Sequence, residues 1–228
     1  MVVLTIIGAL VLIAGCGFFM LRHNVLEENR NFALAGMAKL VASSCFVLLG
    51  ILFALWCRDR YWRFLTPIAL LFGLGGDVLL SMSQRKKTPL FFLLGVIAFA
   101  LEHYIQLMFM VSFKGATFIF GVIFTVLLGM AILYLSKKYR VSVGKLGVGA
   151  MCYFIVLLMM AGIAFGTMCL SFTFGSFLFA IGALLFVGSD TLLLLHNFGA
   201  LREQRFGNLV MLTYYAAQIL FAFSLLGR

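Results

Sequence analysis

Asp77, Glu102 and Asp190 lie inside long apolar stretches, and Lys39 and His103 share that setting. An ionisable side chain within a membrane span is costly unless it is paired or hydrated, so each of these residues marks a candidate site. Two carboxyls in a low-dielectric chamber suit acid–base chemistry. Burial favours the neutral form of a carboxyl and a neighbouring carboxylate reinforces this, so one member can donate a proton while the other accepts one. Asp, Glu, His and Lys on several helices also describe the proton relay of a small proton-coupled transporter, and a non-catalytic lipid sensor would use the same kind of pocket.

Spacing adds further candidates. Tyr214 and Gln218 stand i, i+4, on one face of a helix, and can hydrogen-bond a ligand oxygen, whereas the adjacent Tyr215 reads more as packing than as a ligand contact. At about 1.5 Å per residue, Asp77, Asp190 and Lys39 are expected roughly 8–11 Å from the same membrane face, with Tyr214, Tyr215 and Gln218 at a similar depth. Glu102 and His103 reach nearer the middle. A polar chamber in one leaflet is therefore expected. His103 is either a proton relay or a satisfied histidine between helices. Lys39 either binds a substrate phosphate or neutralises an aspartate.

These residues must be positioned by membrane helices. The 228-residue chain is 64% hydrophobic and only 11% charged, where a soluble domain is about half apolar and a quarter charged. Runs long enough to cross a bilayer as helix, about 20 residues, recur at 2–21, 32–57, 64–83, 90–113, 116–135, 148–170, 174–195 and 209–226. The connections are too short for a second domain. The expectation is an all-α, polytopic bundle of eight transmembrane helices forming one integral membrane domain, residues 1–228. The weakest separation is SFTFG at 171–175, and Pro67 and Pro89 are expected near helix starts, where proline is tolerated. The 23 glycines allow close helix approach. The 26 phenylalanines and 12 methionines read mainly as lipid-facing or core residues.

An echo links the two halves. Gly76-Asp77-Val78-Leu79-Leu80 matches Ser189-Asp190-Thr191-Leu192-Leu193, and His103-x-x-Gln106 follows the first aspartate much as Tyr215-x-x-Gln218 follows the second. Four helices separate equivalent positions, which suggests two parallel four-helix repeats.

A net charge of +10 invites a nucleic-acid reading, but the basic residues sit between apolar runs, as topology signals do. Arg22, Arg30, Arg85, Lys86, Lys87, Lys137, Lys138, Arg140, Lys145, Arg202 and Arg205 fall on one side, and Arg58, Arg60, Arg63, Lys114 and Arg228 on the other. The positive-inside rule makes the first side cytoplasmic, both termini outward-facing, and the polar chamber part of the cytoplasmic half of a cell (inner) membrane protein. Ile13-Ala14-Gly15-Cys16 resembles a lipid-attachment sequence, but no basic residue precedes Arg22, so a cleaved signal is not expected. The cysteines form no CxxC or CxxH pair and read as small core residues. A zinc site is disfavoured, since His23 and His196 sit at helix ends and only His103 is deep; no metal or other cofactor is expected.

GDVLLS at 76–81, Phe99-x-x-x-His103, GALLFVGSDTLLLL at 182–195 and TYYAAQ at 213–218 occur in order, and together they resemble the motifs of the YhhN-like lysoplasmalogenase family from about Lys39 to the C-terminus. The chain departs from that pattern at Leu40, where the family often has proline, and at Gln106, where it often has tyrosine. The resemblance implies an eight-helix hydrolase acting on the vinyl ether bond of lysoplasmalogens, whose partners are a lysophospholipid, water and membrane lipids. Its products are a fatty aldehyde and glycerophospho-choline or glycerophospho-ethanolamine. Vinyl ether cleavage proceeds by protonation of the β-carbon, an oxocarbenium ion and water addition. That chemistry assigns Asp77 and Asp190 as the catalytic pair, His103 and Glu102 as supporting or relay groups, and Lys39, Tyr214, Tyr215 and Gln218 as substrate-binding candidates.

Overall fold

The structure, a computed structural model, describes residues 2–86, 88–111 and 115–227. Among these residues all regular structure is helical. The elements are α1 (Val2–Glu28), α2 (Phe32–Ala54), α3 (Arg60–Lys86), α4 (Pro89–Val111), α5 (Gly115–Lys138), α6 (Gly147–Leu170), α7 (Phe174–Asn197) and α8 (Gln204–Phe223), with short 3₁₀ turns at Gly144–Leu146 and Ser224–Gly227. Eight of these helices are long and apolar enough to cross a membrane. The protein is a multi-pass membrane helix bundle.

Local chemistry sets several boundaries. Asp59 Oδ1 accepts from the backbone N–H groups of Tyr61 and Trp62 at 2.8 and 3.2 Å, satisfying donors that the first turn of α3 would leave unmet. The helix thus begins at Arg60, before the apolar run does. Pro67 consequently lies inside α3 and not at its start, a correction to the sequence expectation, and it removes one internal helical hydrogen bond. Pro89 does open α4. The break at 171–173 is real. Thr173 caps α7 by accepting from Ser176 N at 3.0 Å, while the Ser176 hydroxyl accepts from Thr173 N at 2.9 Å.

Consecutive helices pack as antiparallel pairs, α1 with α2, α3 with α4, α5 with α6 and α7 with α8. The pairs join through α2–α3 and α6–α7, and α2–α8 and α4–α6 close the bundle. This order of neighbours is compatible with the two parallel halves suggested by the sequence. α1 and α5 are the most exposed of the helices and α8 the most buried. Backbones meet closely where glycines allow it. A Cβ on Gly162 of α6 would fall 2.8 Å from Gly121 Cα on α5, so only hydrogen fits at that crossing.

Candidate active site

The opening glycines of the Asp77 segment make room for other helices. A Cβ at Gly73 would stand 2.6 Å from Glu102 Oε2 and 2.8 Å from Gln218 Nε2. One at Gly76 would stand 2.7 Å from the Phe99 ring, which itself packs edge-on to Tyr214. Glycine at these positions lets α4 and α8 press against α3 at the level of Asp77.

Asp77 is 2% exposed and surrounded by donors. Lys39 Nζ pairs with its Oδ1 at 3.0 Å. Its Oδ2 accepts from the Ser43 hydroxyl at 2.5 Å and from the Tyr214 hydroxyl at 2.8 Å. Lys39 and Ser43 are four residues apart on α2, so both reach the same carboxylate from one helix face. Behind this group, Gln218 Nε2 donates to Tyr214 Oη at 3.3 Å and to Glu102 Oε2 at 3.2 Å. Tyr215 Oη donates to the Lys39 carbonyl at 3.4 Å and lies 3.1 Å from Ser43 Oγ.

Asp190 has different company. Its only hydrogen-bond partner among the described residues is the Tyr153 hydroxyl on α6, which donates to Oδ2. Tyr153 Oη also lies 3.3 Å from His103 Nε2, and His103 Nδ1 lies 3.3 Å from Gln106 Oε1.

One cavity brings the two groups together. It offers about 120 Å³ to the centres of water-sized molecules and is lined by Lys39, Asp77, Tyr153, Ser189, Asp190 and Tyr214 at its polar end. Apolar side chains from α4, α6, α7 and α8, among them Phe92, Leu93, Val96, Phe154, Leu193 and Met211, form the remainder of the wall. Val143 and Phe198 place it toward the end of the bundle where α5 joins α6 and α7 joins α8. The segments there are tied by Ser142 N donating to Phe198 O at 2.9 Å and Ala200 N donating to Tyr139 O at 3.0 Å. The space is large enough for several waters.

Four of the eight residues singled out in the sequence, Lys39, Asp77, Asp190 and Tyr214, line this cavity. Of the alternatives for Lys39, the geometry realises the ion pair. Glu102, His103, Tyr215 and Gln218 do not line it; they form a buried layer that ties the cavity residues together. Tyr153 and Ser43 are the contacts that the sequence reading missed. Both had a signal. Ser43 follows Lys39 by one helical repeat, and Tyr153 precedes Asp190 by 37 residues much as Lys39 precedes Asp77.

The fold and site define a class: a polytopic α-helical membrane protein with paired carboxyl side chains facing a partly apolar intramembrane cavity. Residues 39–225 match the YhhN family, and the chain belongs to that family. The match begins at Lys39 and takes in every residue named at this site. Among curated proteins and solved structures, none matches the chain.

Proposed function

We propose that this protein is a lysoplasmalogenase, hydrolysing the vinyl ether of a 1-alkenyl lysophospholipid to a fatty aldehyde and a glycerophospho-alcohol. The observation that carries this reading is the unequal pair of carboxyls on one cavity: Asp77 with an ammonium and two hydroxyl donors, Asp190 with one hydroxyl. Three donors support a carboxylate at Asp77. Asp190 is left as the proton donor.

In this mechanism the Asp190 proton adds to the β-carbon of the vinyl ether, using the electron pair of the double bond, and the positive charge falls on the ether carbon and oxygen. The Asp77 carboxylate stabilises this oxocarbenium ion, as carboxylates do around the related ion of glycosidases. Asp77 then takes a proton from water as the water oxygen bonds to the cationic carbon. When the resulting hemiacetal collapses, its hydroxyl proton passes to Asp190 and the departing alkoxide takes the proton held by Asp77. Both groups return to their starting forms, with one water consumed. Tyr214 and Ser43 hold Asp77 in place, and Lys39 balances its charge. The apolar wall suits the hydrocarbon chain. The sequence charge asymmetry supports a cytoplasmic location for this end of the bundle.

The test is aldehyde release by detergent-purified protein from a 1-alkenyl lysophospholipid, beside its saturated 1-alkyl analogue and the Asp77→Asn and Asp190→Asn variants. Release from the alkenyl lipid alone is expected, falling about 10²-fold or more in either folded variant. Intact protein that releases no aldehyde, or folded variants of full activity, would refute the assignment.

A further inference from the structure

Gln106, His103, Tyr153 and Asp190 form a row from the interior of α4 to the cavity wall. His103 is fully buried and held edge-on to Phe186, with 4.4 Å between ring centroids, so each ring nitrogen faces a fixed neighbour. Gln106 Oε1 faces Nδ1 and the Tyr153 hydroxyl faces Nε2, each at 3.3 Å. In this arrangement Gln106 Nε2 is buried with no partner. The hydrogens fail to match at a second place as well. With Oε1 against it, Nδ1 must carry the hydrogen of a neutral ring, and Nε2 then presents a lone pair to the Tyr153 oxygen, whose hydrogen points to Asp190. The reverse order, a neutral Asp190 donating to Tyr153 and Tyr153 to His103, matches these three groups but still leaves Gln106 Nε2 unmet.

A half turn of the Gln106 amide exchanges two atoms of nearly equal size and removes both faults. Gln106 Nε2 then donates to His103 Nδ1, His103 Nε2–H donates to the Tyr153 oxygen, and the Tyr153 hydroxyl donates to Asp190 Oδ2. The one group left unmet is an acceptor, Gln106 Oε1, in place of an unmet donor. The geometry points to a one-way chain of donors, Gln106 to His103 to Tyr153 to Asp190, in which Tyr153 is the positioning residue for the proton donor of the proposed hydrolysis. The inference rests on that reading of Asp190. By occupying Oδ2, the tyrosine directs the acidic proton to Oδ1, the oxygen with no partner among the described residues. Without that bond the carboxyl turns about its terminal torsion, which is broad, and presents either oxygen to the substrate.

Tyr153→Phe keeps the ring in the cavity wall and removes only the hydroxyl. With the folded variant, kcat for alkenyl lysophospholipid is expected to fall about 10- to 100-fold while KM changes little, the signature of lost orientation and not of lost binding. His103→Leu is expected to lose less, and His103→Leu combined with Tyr153→Phe no more than Tyr153→Phe alone, because His103 acts only through that hydroxyl. Infrared difference spectra between wild type and Asp190→Asn isolate the Asp190 carboxyl band without any turnover. In Tyr153→Phe that band is expected at higher frequency, its carbonyl having lost a donor. An unshifted band with unchanged kcat overturns the chain, as does a double variant whose losses multiply. Wild-type protein that releases no aldehyde overturns the hydrolase reading instead, and the infrared shift then decides the donor chain independently.

Discussion

Lys39 and Asp77 allow a quantitative test of how the site is held together. Their charged atoms are 3.0 Å apart, with side-chain exposures of 12% and 2%. At that separation and an effective dielectric of about 20, the attraction is about 5–6 kcal/mol before the cost of removing both charges from water. Lys39→Met removes the ammonium and leaves the carboxylate with only the Ser43 and Tyr214 hydroxyls. Breaking one side of a buried pair typically costs about 3–5 kcal/mol, whereas replacing both partners is often close to neutral. Lys39→Met is therefore expected to lower the unfolding midpoint by about 6–20 °C, at about 2–4 °C per kcal/mol for a chain of this size. Adding Asp77→Asn to Lys39→Met should recover most of that loss, giving a coupling of at least about 2 kcal/mol. Thermal unfolding followed by intrinsic fluorescence in a single detergent measures all four proteins. A Lys39→Met midpoint within about 2 °C of wild type, or two losses that simply add, would refute the view that Asp77 is an ion-paired carboxylate.

Gly73→Ala should destabilise by about 1–3 kcal/mol, the usual range for overpacking, because its methyl group would stand 2.6 Å from Glu102 Oε2 and 2.8 Å from Gln218 Nε2. Turnover should fall with it, since Gln218 also bonds Tyr214; a wild-type midpoint and rate would show that this layer has slack. Ala150→Phe places a ring in the cavity from α6, where Ala150 lines the wall. It should raise KM or abolish aldehyde release while the midpoint stays close to wild type, and unaffected kinetics would mean that the lipid binds elsewhere.

Much of the fold could be read along the chain because crossing a bilayer demands about 20 apolar residues each time, and this chain repeats such runs with little between them. The helix ends were less legible. α1 continues to Glu28, α3 starts at Arg60 and α8 at Gln204, since polar side chains at the interface are no obstacle to helical hydrogen bonds. Only the Asp59 cap, seen in its geometry, explains why Pro67 became an interior residue of α3.

The site divides in the same way. Sequence by itself determined which side chains are costly in a membrane and where along its helix each one stands, because a helix rises by a constant amount per residue. Tertiary structure decided the partners: Ser43 and Tyr214 for Asp77, Tyr153 for Asp190, and a second layer for Glu102, His103, Tyr215 and Gln218. That choice depends on which way each helix turns, and in lipid the outward face is as apolar as the buried one. The pattern of apolar residues therefore does not reveal the rotation; it is set by close packing around small residues such as Gly73 and Gly76 and by hydrogen bonds that no single helix contains.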